Sequence, residues 1–405
     1  MKIWLINDYN MLPEHGHHNR NYYLAKYLKR LGHEPVVFVG SHPHNSHIQL
    51  IEDKAKFKVY REEPFPWVLI KTENYEGNRK KRVFSMFEFY RNMKIAAKNF
   101  EKPDVIIGSS AHPLAALSAI KLGKKYNAKG IVEIRDLWPE SIVVYTDAKR
   151  NNPIIKMLYR FEKYLYIHAD KIIFLFENAY MYFTENGLDK YVSRDKVCYL
   201  NNGVDLEEFE INLKENVYHD DDIDNDNYFK VVYTGSIRKA NNLDLLIDAA
   251  KLVQNRSVRF IVYGEGDEKE MLQRRIIEEG VTNVVFKGHV EKKYIASITS
   301  KADLNILHAK PAPTLKYGIS MNKLFDYAAA GKPILADFHS DFNPLLKYKA
   351  GEDVISPSAI EIAKAVDKMS SLDKATYDEY CNNARKMAHD FSFEYLASKM
   401  IDIVK

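Results

Sequence analysis

Short apolar runs alternate with longer stretches of helical periodicity along most of the chain. In the first 200 residues, the pattern predicts strands near 2–8, 35–40, 104–110, 129–135, 171–176 and 196–200, and helices near 17–31, 82–98, 112–126, 153–168 and 178–186. Strand-length apolar runs between helical stretches are typical of repeated β-α units around a parallel sheet. The first half is therefore predicted to form one doubly wound α/β domain.

The alternation stops after the segment NNGVDLEEF at 201–209 and restarts near residue 229. The stretch between them is acidic and weakly periodic, which predicts a solvated linker. Five further strand candidates follow, in the segments FKVVYTGS, RFIVYGEG, VVFKGHV, LNILHA and KPILADF. The second half therefore repeats the plan of the first, and an amphipathic helix at 391–404 comes after its last strand.

The length of the chain also favours two domains. It has 405 residues, whereas single hydrophobic cores stop growing near roughly 250–300 residues. We predict Rossmann-like domains at 1–203 and 204–390, with the helix at 391–405 packing back on the first. Ligands bind at the carboxyl ends of the strands in such sheets, so two domains facing a central cleft would suit a reaction of two substrates. Any two-domain α/β enzyme or binding protein shares this pattern.

Composition excludes several classes of protein. Hydrophobic residues make up 46% of the chain and every long apolar stretch contains charges, so a membrane-spanning protein is not predicted. The segment MKIWLIND reads as a buried strand without the features of a signal peptide, which predicts a cytoplasmic protein. The two cysteines, Cys198 and Cys381, support neither a disulfide framework nor a zinc site.

Charge is distributed unevenly between the two halves. Residues 1–200 carry 32 Lys and Arg against 22 Asp and Glu, a balance of +10, and residues 201–405 carry 27 against 33, a balance of −6. The basic half should face something anionic, although no nucleic-acid-binding module is recognisable. The segment from Arg79 to Lys98 adds aromatic residues to its cations. It is either a basic amphipathic helix on the inner face of the cell membrane or a helix whose aromatic stripe lies in the core.

The segment KYGISMNKLFDYAAAGKPIL at 316–335 contains the main candidate site. Ser320 is a suitable N-cap, so a helix is predicted from Met321 to Gly331. Lys323 then falls in the first turn, where a cation opposes the positive end of the helix dipole. A diphosphate bound by the main-chain N–H groups of this turn would explain the lysine. The alternative is an ordinary exposed lysine.

Two further strand ends can complete a nucleotide site. The turn GSIRKANN at 235–242 carries Arg238 and Lys239 where a Rossmann-like domain binds phosphates. The strand VVFKGHV ends in Gly288, His289 and Val290, whose main chain can contact the edge of a base, and Asp326 can accept hydrogen bonds from a ribose diol. Alternatively, the turn is a loop with solvated cations.

Polar residues also follow the strands of the first half. His112, in GSSAHPLAALSAI, lies at the rim of the predicted cleft and is either a ligand contact or a helix cap. The segment RDLWPES contains Arg135, Asp136 and Glu140, which either orient an acceptor or form a structural ion pair.

Two motifs raise the question of a metal ion. The loop NMLPEHGHHN holds His15, His17 and His18 beside Gly16, which lets main chain approach a ligand, but carboxylate or Cys partners at ligand spacing are missing. The acidic run at 220–227 lacks the glycine and the terminal Glu of a calcium loop. No metal site is therefore predicted.

Several of these segments resemble one family. NNGVDLEEF is similar to an NGVD-x-x-x-F segment, YTGSIRKANNLDLLIDA to a strand-turn-helix phosphate loop, and LFDYAAAGKPI to the close of an E-x7-E signature. In this order and spacing, they resemble the retaining GT-B transferases of glycosyltransferase family 4. The segments EIRDLWPESI and GISxNKLFDY resemble those of a subgroup that includes L-fucosamine transferases of O-antigen and capsule assembly.

The sequence departs from the family pattern at the signature and at the phosphate loop. The first acid of the signature, which contacts hydroxyls of the donor sugar in the family, falls on Gly318, and the second is Asp326. The usual Arg and Lys of the phosphate loop align with Ser236 and about Asn241. We therefore expect Arg238 and Lys323 to replace these two cations.

The resemblance implies a reaction and leaves two alternatives open. It implies transfer of an (N-acetyl)hexosamine or a deoxy sugar from a UDP-sugar to a lipid-linked or saccharide acceptor, in lipopolysaccharide or other cell-surface polysaccharide synthesis. The reaction would retain the anomeric configuration, with the leaving phosphate as base, and would need neither metal nor cofactor beyond the donor substrate. The alternatives are a UDP-sugar epimerase of the same fold and a non-catalytic nucleotide-sugar-binding protein.

The predicted site residues form three groups. The catalytic group is His112, which the family resemblance sets against the donor sugar, with Arg238, Lys323 and Asp326. The donor-binding group is Gly16, Gly235, Ser236, Gly264, Gly288, His289, Val290, Gly318, Ile319, Ser320, Met321 and Asn322. The acceptor-binding group is His15, Arg135, Asp136 and Glu140.

Overall fold

The chain divides into two compact units. The computed structural model describes residues 1–12, 14, 16, 19–42, 48–62, 64–75, 79–110, 112–146, 148–239 and 241–405. The N-terminal unit consists of Met1–Asn201 and Phe393–Lys405, and the C-terminal unit of Asn202–Ser392. The chain thus leaves the first unit once and returns to it for the last helix.

An eight-stranded sheet forms the centre of the N-terminal unit. Its strands are β1 (Lys2–Ile6), β2 (Glu34–Gly40), β3 (Phe57–Arg61), β4 (Trp67–Ile70), β5 (Val105–Ser109), β6 (Lys129–Ile134), β7 (Lys171–Phe174) and β8 (Val197–Tyr199), in the order β3-β4-β2-β1-β5-β6-β7-β8. All adjacent strands are parallel except β3, which pairs antiparallel with β4. The direction of strand order changes between β1 and β5, where ligands bind in such sheets.

Helices cover both faces of this sheet. They are α1 (Arg20–Arg30), α2 (Arg79–Ala96), α3 (Pro113–Tyr126), α4 (Glu140–Tyr145), α5 (Pro153–His168) and α6 (Ala179–Glu185). Pro113 opens α3 at a position that needs no N–H donor, and Asn127 closes it with a φ of 56°, in the left-handed region that Asn tolerates. On one face, Phe89 and Met93 of α2 join Trp4 and Phe38 of the sheet in the core.

The C-terminal unit contains a six-stranded parallel sheet. Its strands are β9 (Phe229–Thr234), β10 (Val258–Tyr263), β11 (Val284–Gly288), β12 (Leu304–Leu307), β13 (Ile334–Ala336) and β14 (Gly351–Asp353), in the order β11-β10-β9-β12-β13-β14. Its helices are α7 (Leu206–Glu215), α8 (Leu243–Leu252), α9 (Lys269–Glu278), α10 (Ile295–Lys301), α11 (Asn322–Ala329), α12 (Pro344–Tyr348), α13 (Ala359–Ser370) and α14 (Lys374–Asp390). The order changes direction between β9 and β12, which makes the carboxyl ends of these strands the expected ligand site.

The final helix, α15 (Phe393–Val404), belongs to the N-terminal unit. Phe393 stacks on Tyr23 of α1 with ring centroids 5.0 Å apart, and Lys129 Nζ donates to the carbonyl of Val404. The sequence places the domain limits at 203/204 and 390/391, and the structure divides at 201/202 and 392/393.

The prediction of a solvated linker before residue 229 is wrong. Residues 206–215 form α7, and the acidic run that follows is held by cations far away in sequence. Lys287 bonds both Asp220 and Asp222, and Ile223 between them packs in a hydrophobic cluster with Tyr263. The run is therefore an ion-paired part of the C-terminal unit.

The aromatic residues of helix α2 lie in two different environments. Phe89 is fully buried, whereas Phe84 is 66% and Phe87 58% exposed. The stripe thus divides between the core and an exposed apolar patch. No helix among the described residues has the length and apolar character needed to cross a membrane.

Candidate active site

The loops after β9 and β10 are in main-chain contact at the carboxyl edge of the C-terminal sheet. The amide of Gly235 donates to the carbonyl of Tyr263 at 3.0 Å, and the amide of Ile237 donates to the carbonyl of Glu265 at 2.9 Å. A Cβ atom on Gly264 would overlap the Gly235 carbonyl, so a larger residue cannot replace it without moving the loop. This contact fixes the turn that the sequence predicts to bind phosphate.

Lys323 lies against this glycine turn. Its Nζ donates to the hydroxyl of Tyr233 at 3.0 Å and lies 4.2 Å from the centroid of the same ring. A Cβ atom on Gly235 would be 2.9 Å from Nζ, so the glycine leaves room for the ammonium group. Desolvation lowers the pKa of Lys323 to about 7. The Lys323 ammonium group is thus held beside the turn in surroundings that disfavour its charged form.

The helix α11 begins one residue later than predicted. Its cap is Met321 and its first residue is Asn322, whereas the sequence predicts Ser320 as the cap and Met321 as the first helical residue. Within the described chain, no side chain caps this end, so the first-turn N–H groups depend on main-chain, solvent or ligand partners. The carbonyl of Ser320 accepts a hydrogen bond from Asn202 Nδ2 at 2.7 Å, which fixes the approach to the helix.

The main-chain conformation at Gly318 accounts for the absence of the first acid of the E-x7-E signature. Its φ of 122° lies in the region that favours glycine, so a glutamate at this position would be strained. Ile319 after it is buried. On α11 itself, desolvation raises the pKa of Asp326 to about 6, with a further increase from Glu208 and a decrease from Lys292.

The positions that carry cations in the family hold the phosphate loop in shape. Asn241 Nδ2 donates to Ser236 Oγ at 2.9 Å and also to the Ser236 carbonyl, which closes the loop on itself. Arg238 between them is exposed. The structure therefore places Lys323 at the turn and leaves the Arg238 guanidinium in solvent.

The main chain after β11 is less available than predicted. The amide of His289 donates to Glu265 Oε1 at 3.1 Å, and the carbonyl of Gly288 accepts from the amide of Gly264 at 2.8 Å. Val290 packs against the hydrophobic cluster around Tyr263. A base that needed the His289 amide would therefore have to displace Glu265, whereas the Gly288 carbonyl keeps a second lone pair.

The described structure shows His112 as a helix cap in the N-terminal unit. Its Nδ1 accepts from the amide of Ala115 at 3.3 Å, and its Nε2 lies 3.2 Å from Asp8 Oδ2. The side chain is fully buried, with ring edges against Tyr9 and Phe89. The structure thus shows the helix cap that was the alternative for His112, and contact with a donor sugar stays a prediction.

The three residues of RDLWPES that were predicted to bind an acceptor differ in burial and in bonding partners. Glu140 is buried and accepts hydrogen bonds from Arg150 and from the hydroxyl of Tyr159. For Glu140, the structure therefore shows the alternative, a structural ion pair. Asp136 is exposed and Arg135 is partly buried after β6, and binding of an acceptor by either stays a prediction.

The histidine loop is described in part. His15, His17 and His18 lie outside the described residues. Gly16 has a φ of 156°, and a Cβ on it would lie 2.6 Å from Met11 Sδ. Among the described residues, no group of three or more His, Cys, Asp or Glu is arranged to hold a metal ion.

Three groups near the strand ends were not predicted from the sequence. Arg20 and Glu133 form a buried ion pair at 2.8 Å in the N-terminal unit. Tyr233 supports Lys323, and His308 pairs with Asp337 after β12 and β13. A charged residue within an apolar strand, such as Glu133, is the signal that could have revealed the first.

Comparisons with known proteins agree with the fold. Residues 15–208 match the family described as Glycosyltransferase Family 4, and residues 228–371 match Glycosyl transferases group 1. No curated protein matches the chain in sequence.

Solved structures of similar fold extend over both units. Sucrose-phosphate synthase from Thermosynechococcus elongatus is 16% identical, with 99% of this chain and 98% of that chain covered and a TM-score of 0.71. HepE from Anabaena in complex with UDP is 14% identical, with 99% of both chains covered and a TM-score of 0.66. WaaG, a glycosyltransferase involved in lipopolysaccharide biosynthesis, is 16% identical, with 100% of both chains covered and a TM-score of 0.63. The two family matches and the two parallel-sheet units together identify the chain as a glycosyltransferase of the GT-B type.

Proposed function

We propose that the protein transfers an N-acetylhexosamine or a deoxy sugar from a UDP-sugar to a lipid-linked or saccharide acceptor in cell-surface polysaccharide synthesis. The observation that carries the proposal is Lys323, a desolvated cation held against the Gly235 turn at the start of α11. A diphosphate at this position would satisfy first-turn N–H groups and the ammonium together. The complex of HepE with UDP supports the choice of nucleotide.

The proposed mechanism places the stabilisation of the leaving group in the C-terminal unit. As the bond between the anomeric carbon and the phosphate oxygen breaks, negative charge grows on the diphosphate. Lys323 and the amino end of α11 stabilise that charge without a metal ion, and Arg238 contributes when the loop binds phosphate. Asp326 accepts hydrogen bonds from the ribose. No cofactor beyond the donor substrate is needed.

Retention follows if the acceptor attacks from the side of the leaving group. The acceptor oxygen forms a bond to the anomeric carbon, and its proton passes to the departing phosphate. In this scheme the enzyme supplies no base, which agrees with the capped and buried state of His112. Arg135 and Asp136 are proposed to bind the acceptor.

Gly318 supports a donor sugar that lacks a hydroxyl group. In the family, a carboxylate at this position contacts hydroxyls of the sugar, and here the backbone conformation disfavours a glutamate. A deoxy sugar, as in the L-fucosamine-transferase-like subgroup, would not need that acceptor.

The exposed face of α2 supports contact with the cytoplasmic surface of an anionic membrane. Val83, Phe84 and Phe87 are exposed on it beside Lys81 and Arg91. Apolar side chains can enter the headgroup region while the cations attract anionic lipids. A lipid-linked acceptor would then be found at the same surface.

A donor screen followed by a transfer assay tests the proposed reaction. UDP binding is measured by calorimetry, and products from a panel of UDP-sugars with lipid-linked acceptors are examined by NMR for the anomeric configuration, with and without EDTA. Lys323→Met should lower turnover by about 100-fold or more, because a charge-stabilising donor is lost. Lys374→Met, which removes an exposed cation of α14 in the same unit, is the control and should change little. An epimer formed from donor alone would support the epimerase, and UDP binding without any turnover would support the binding protein.

Vesicle sedimentation tests the membrane contact. Anionic vesicles should carry down the protein, and Phe84→Ser with Phe87→Ser should reduce the bound fraction. Ile277→Ser, which changes an exposed apolar residue of the C-terminal unit, is the control. Equal binding of all three proteins would exclude this surface.

A further inference from the structure

A buried histidine and a buried aspartate lie at the carboxyl ends of β12 and β13. His308 and Asp337 are each 1% exposed and are in direct contact through His308 Nδ1 and Asp337 Oδ2. Asp337 Oδ1 also accepts from the amide of Ala309 at 3.3 Å. Because buried polar groups are costly unless paired, the two side chains stabilise each other's position.

The other nitrogen of His308 reaches the phosphate loop. His308 Nε2 is 2.6 Å from the carbonyl oxygen of Asn242. A carbonyl can only accept, so Nε2 carries the hydrogen, while Nδ1 faces Asp337 Oδ2. The Asn242 carbonyl accepts in addition from the amide of Leu245 in the first turn of α8.

Asn242 ends the loop that carries Arg238. Its φ of 54° is a left-handed conformation that costs energy and needs support from its surroundings. The start of the loop is held by the main chain of β10 and by Tyr233, whereas its end is held by His308. The hydrogen bonds thus connect the loop after β9 to the ends of β12 and β13, which follow it in the sheet.

We propose that His308, oriented by Asp337, is a positioning residue that holds the 235–242 loop in its phosphate-binding conformation. This inference rests on the proposed binding of a UDP-sugar by that loop. His308 contacts the loop and not the donor, so its loss should weaken donor binding by letting Asn242 and Arg238 move. The effect should therefore appear in Kd and KM for the donor more than in kcat.

Three variants and a control test the proposal. His308→Leu removes the donor to Asn242 and should raise the Kd for UDP about tenfold, with faster amide hydrogen exchange in 235–242. His308→Gln keeps an N–H group near the position of Nε2 and should recover most of the affinity. Asp337→Asn keeps the shape and should lie between the two. The control is His339→Gln, since His339 makes a comparable bond to Asp353 at 2.8 Å after β13, away from the loop.

The outcomes separate this inference from the proposed function. If the unaltered protein does not bind UDP, the proposed function fails. If it binds UDP and His308→Leu binds equally well with unchanged exchange in 235–242, the positioning role alone is wrong. Recovery in His308→Gln distinguishes the hydrogen bond from a general loss of packing, and equal weakening in both variants would contradict it.

Discussion

At the carboxyl end of the C-terminal sheet, glycines bring neighbouring loops into close contact, whereas at the same end of the N-terminal sheet buried polar side chains surround the main chain. Both ends have main-chain hydrogen bonds, such as those from the amides of Gly235 to Tyr263 and of Ser110 to Glu133. Gly235, Gly264 and Gly288 bring the loops after β9, β10 and β11 into direct contact. In the N-terminal unit, Asn7 follows β1, and Ser110 follows β5. Each has a buried polar atom without a hydrogen-bond partner in the part of the chain that the structure describes.

This difference suggests how substitutions in each unit would affect ligand binding. A loop fixed by its own main chain keeps its shape when side chains vary, which suits the invariant diphosphate of a nucleotide. A surface of Asn and Ser side chains changes its hydrogen bonds with every substitution, and buried polar atoms of this kind bind water or ligand in folded proteins. We therefore expect nucleotide binding to depend on glycines and acceptor choice to depend on side chains.

The largest expected effect comes from Gly264→Ala. The added methyl overlaps the Gly235 carbonyl, and the φ of 150° adds strain, so the free energy of unfolding should fall by about 3 kcal/mol or more. UDP binding should be lost with the loop, as calorimetry would show. Gly280→Ala is the control, because its φ of 64° is in the left-handed region and no heavy atom lies within 4 Å of the added methyl, so about 1 kcal/mol is expected. Equal effects of the two would contradict the importance of the loop contact.

A smaller effect, confined to stability, is expected from Glu133→Gln. Arg20 would lose its buried carboxylate, which should lower the free energy of unfolding of the N-terminal unit by about 3 kcal/mol. The UDP affinity of the C-terminal unit should not change. Glu101→Gln, which removes an exposed ion pair with Lys2, is the control and should cost under about 0.5 kcal/mol. Loss of UDP affinity in Glu133→Gln would contradict the expectation that UDP binding depends on the C-terminal unit alone.

The pH dependence of UDP binding should reveal the state of Lys323. Its pKa is about 7 in the unliganded protein, and a bound diphosphate favours the charged form and raises that pKa. Affinity should therefore be full below pH 7 and fall by up to about tenfold per pH unit above it, until the pKa of the complex is reached. Calorimetry between pH 7 and 9 measures this, and proton uptake should accompany binding. Lys323→Arg, which stays charged, should flatten the profile, and an unchanged slope would exclude Lys323.

The smallest expected difference is between two buried serines. Ser109 Oγ, at the end of β5, lacks a hydrogen-bond partner among the described residues, so Ser109→Ala should change the free energy of unfolding by under about 0.5 kcal/mol. Ser340 Oγ donates to the carbonyl of Leu315 at 2.6 Å in the C-terminal unit, and Ser340→Ala should cost about 1 kcal/mol. Denaturant unfolding compares the two. A larger cost at Ser109 would show that its hydroxyl is bonded in solution.

Much of the fold could be predicted because buried parallel strands are apolar runs of strand length. The strands β3, β4 and β14 were not predicted. FKVYR is largely exposed and charged, and WVLI and GED have only four and three residues. The acidic run at 220–227 was misinterpreted for a different reason. Its partners Arg259, Lys287 and Lys301 lie on later elements, and a sequence pattern does not reveal which distant charges will meet.

The candidate site was predictable only where one local signal was sufficient. A lysine in the first turn of a helix pointed to Lys323, and the structure places it at the predicted glycine turn. Tyr233, His308 and Asp337 gave no such signal, because an aromatic or polar residue at a strand end is common in any α/β protein. At Ser236 and Asn241, the sequence showed only that the two cations of the family are missing. The hydrogen bond between these side chains is evident only in the folded loop.

The return of the chain to the N-terminal unit has a consequence for biosynthesis. Because α15 supplies a ring that stacks on Tyr23, the N-terminal unit cannot complete its packing until residues 393–404 have been synthesised. The segment Asn202–Ser392 is continuous and can fold earlier. The C-terminal unit would thus be able to fold during synthesis before the N-terminal unit, which begins earlier in the chain but needs α15 to complete its core.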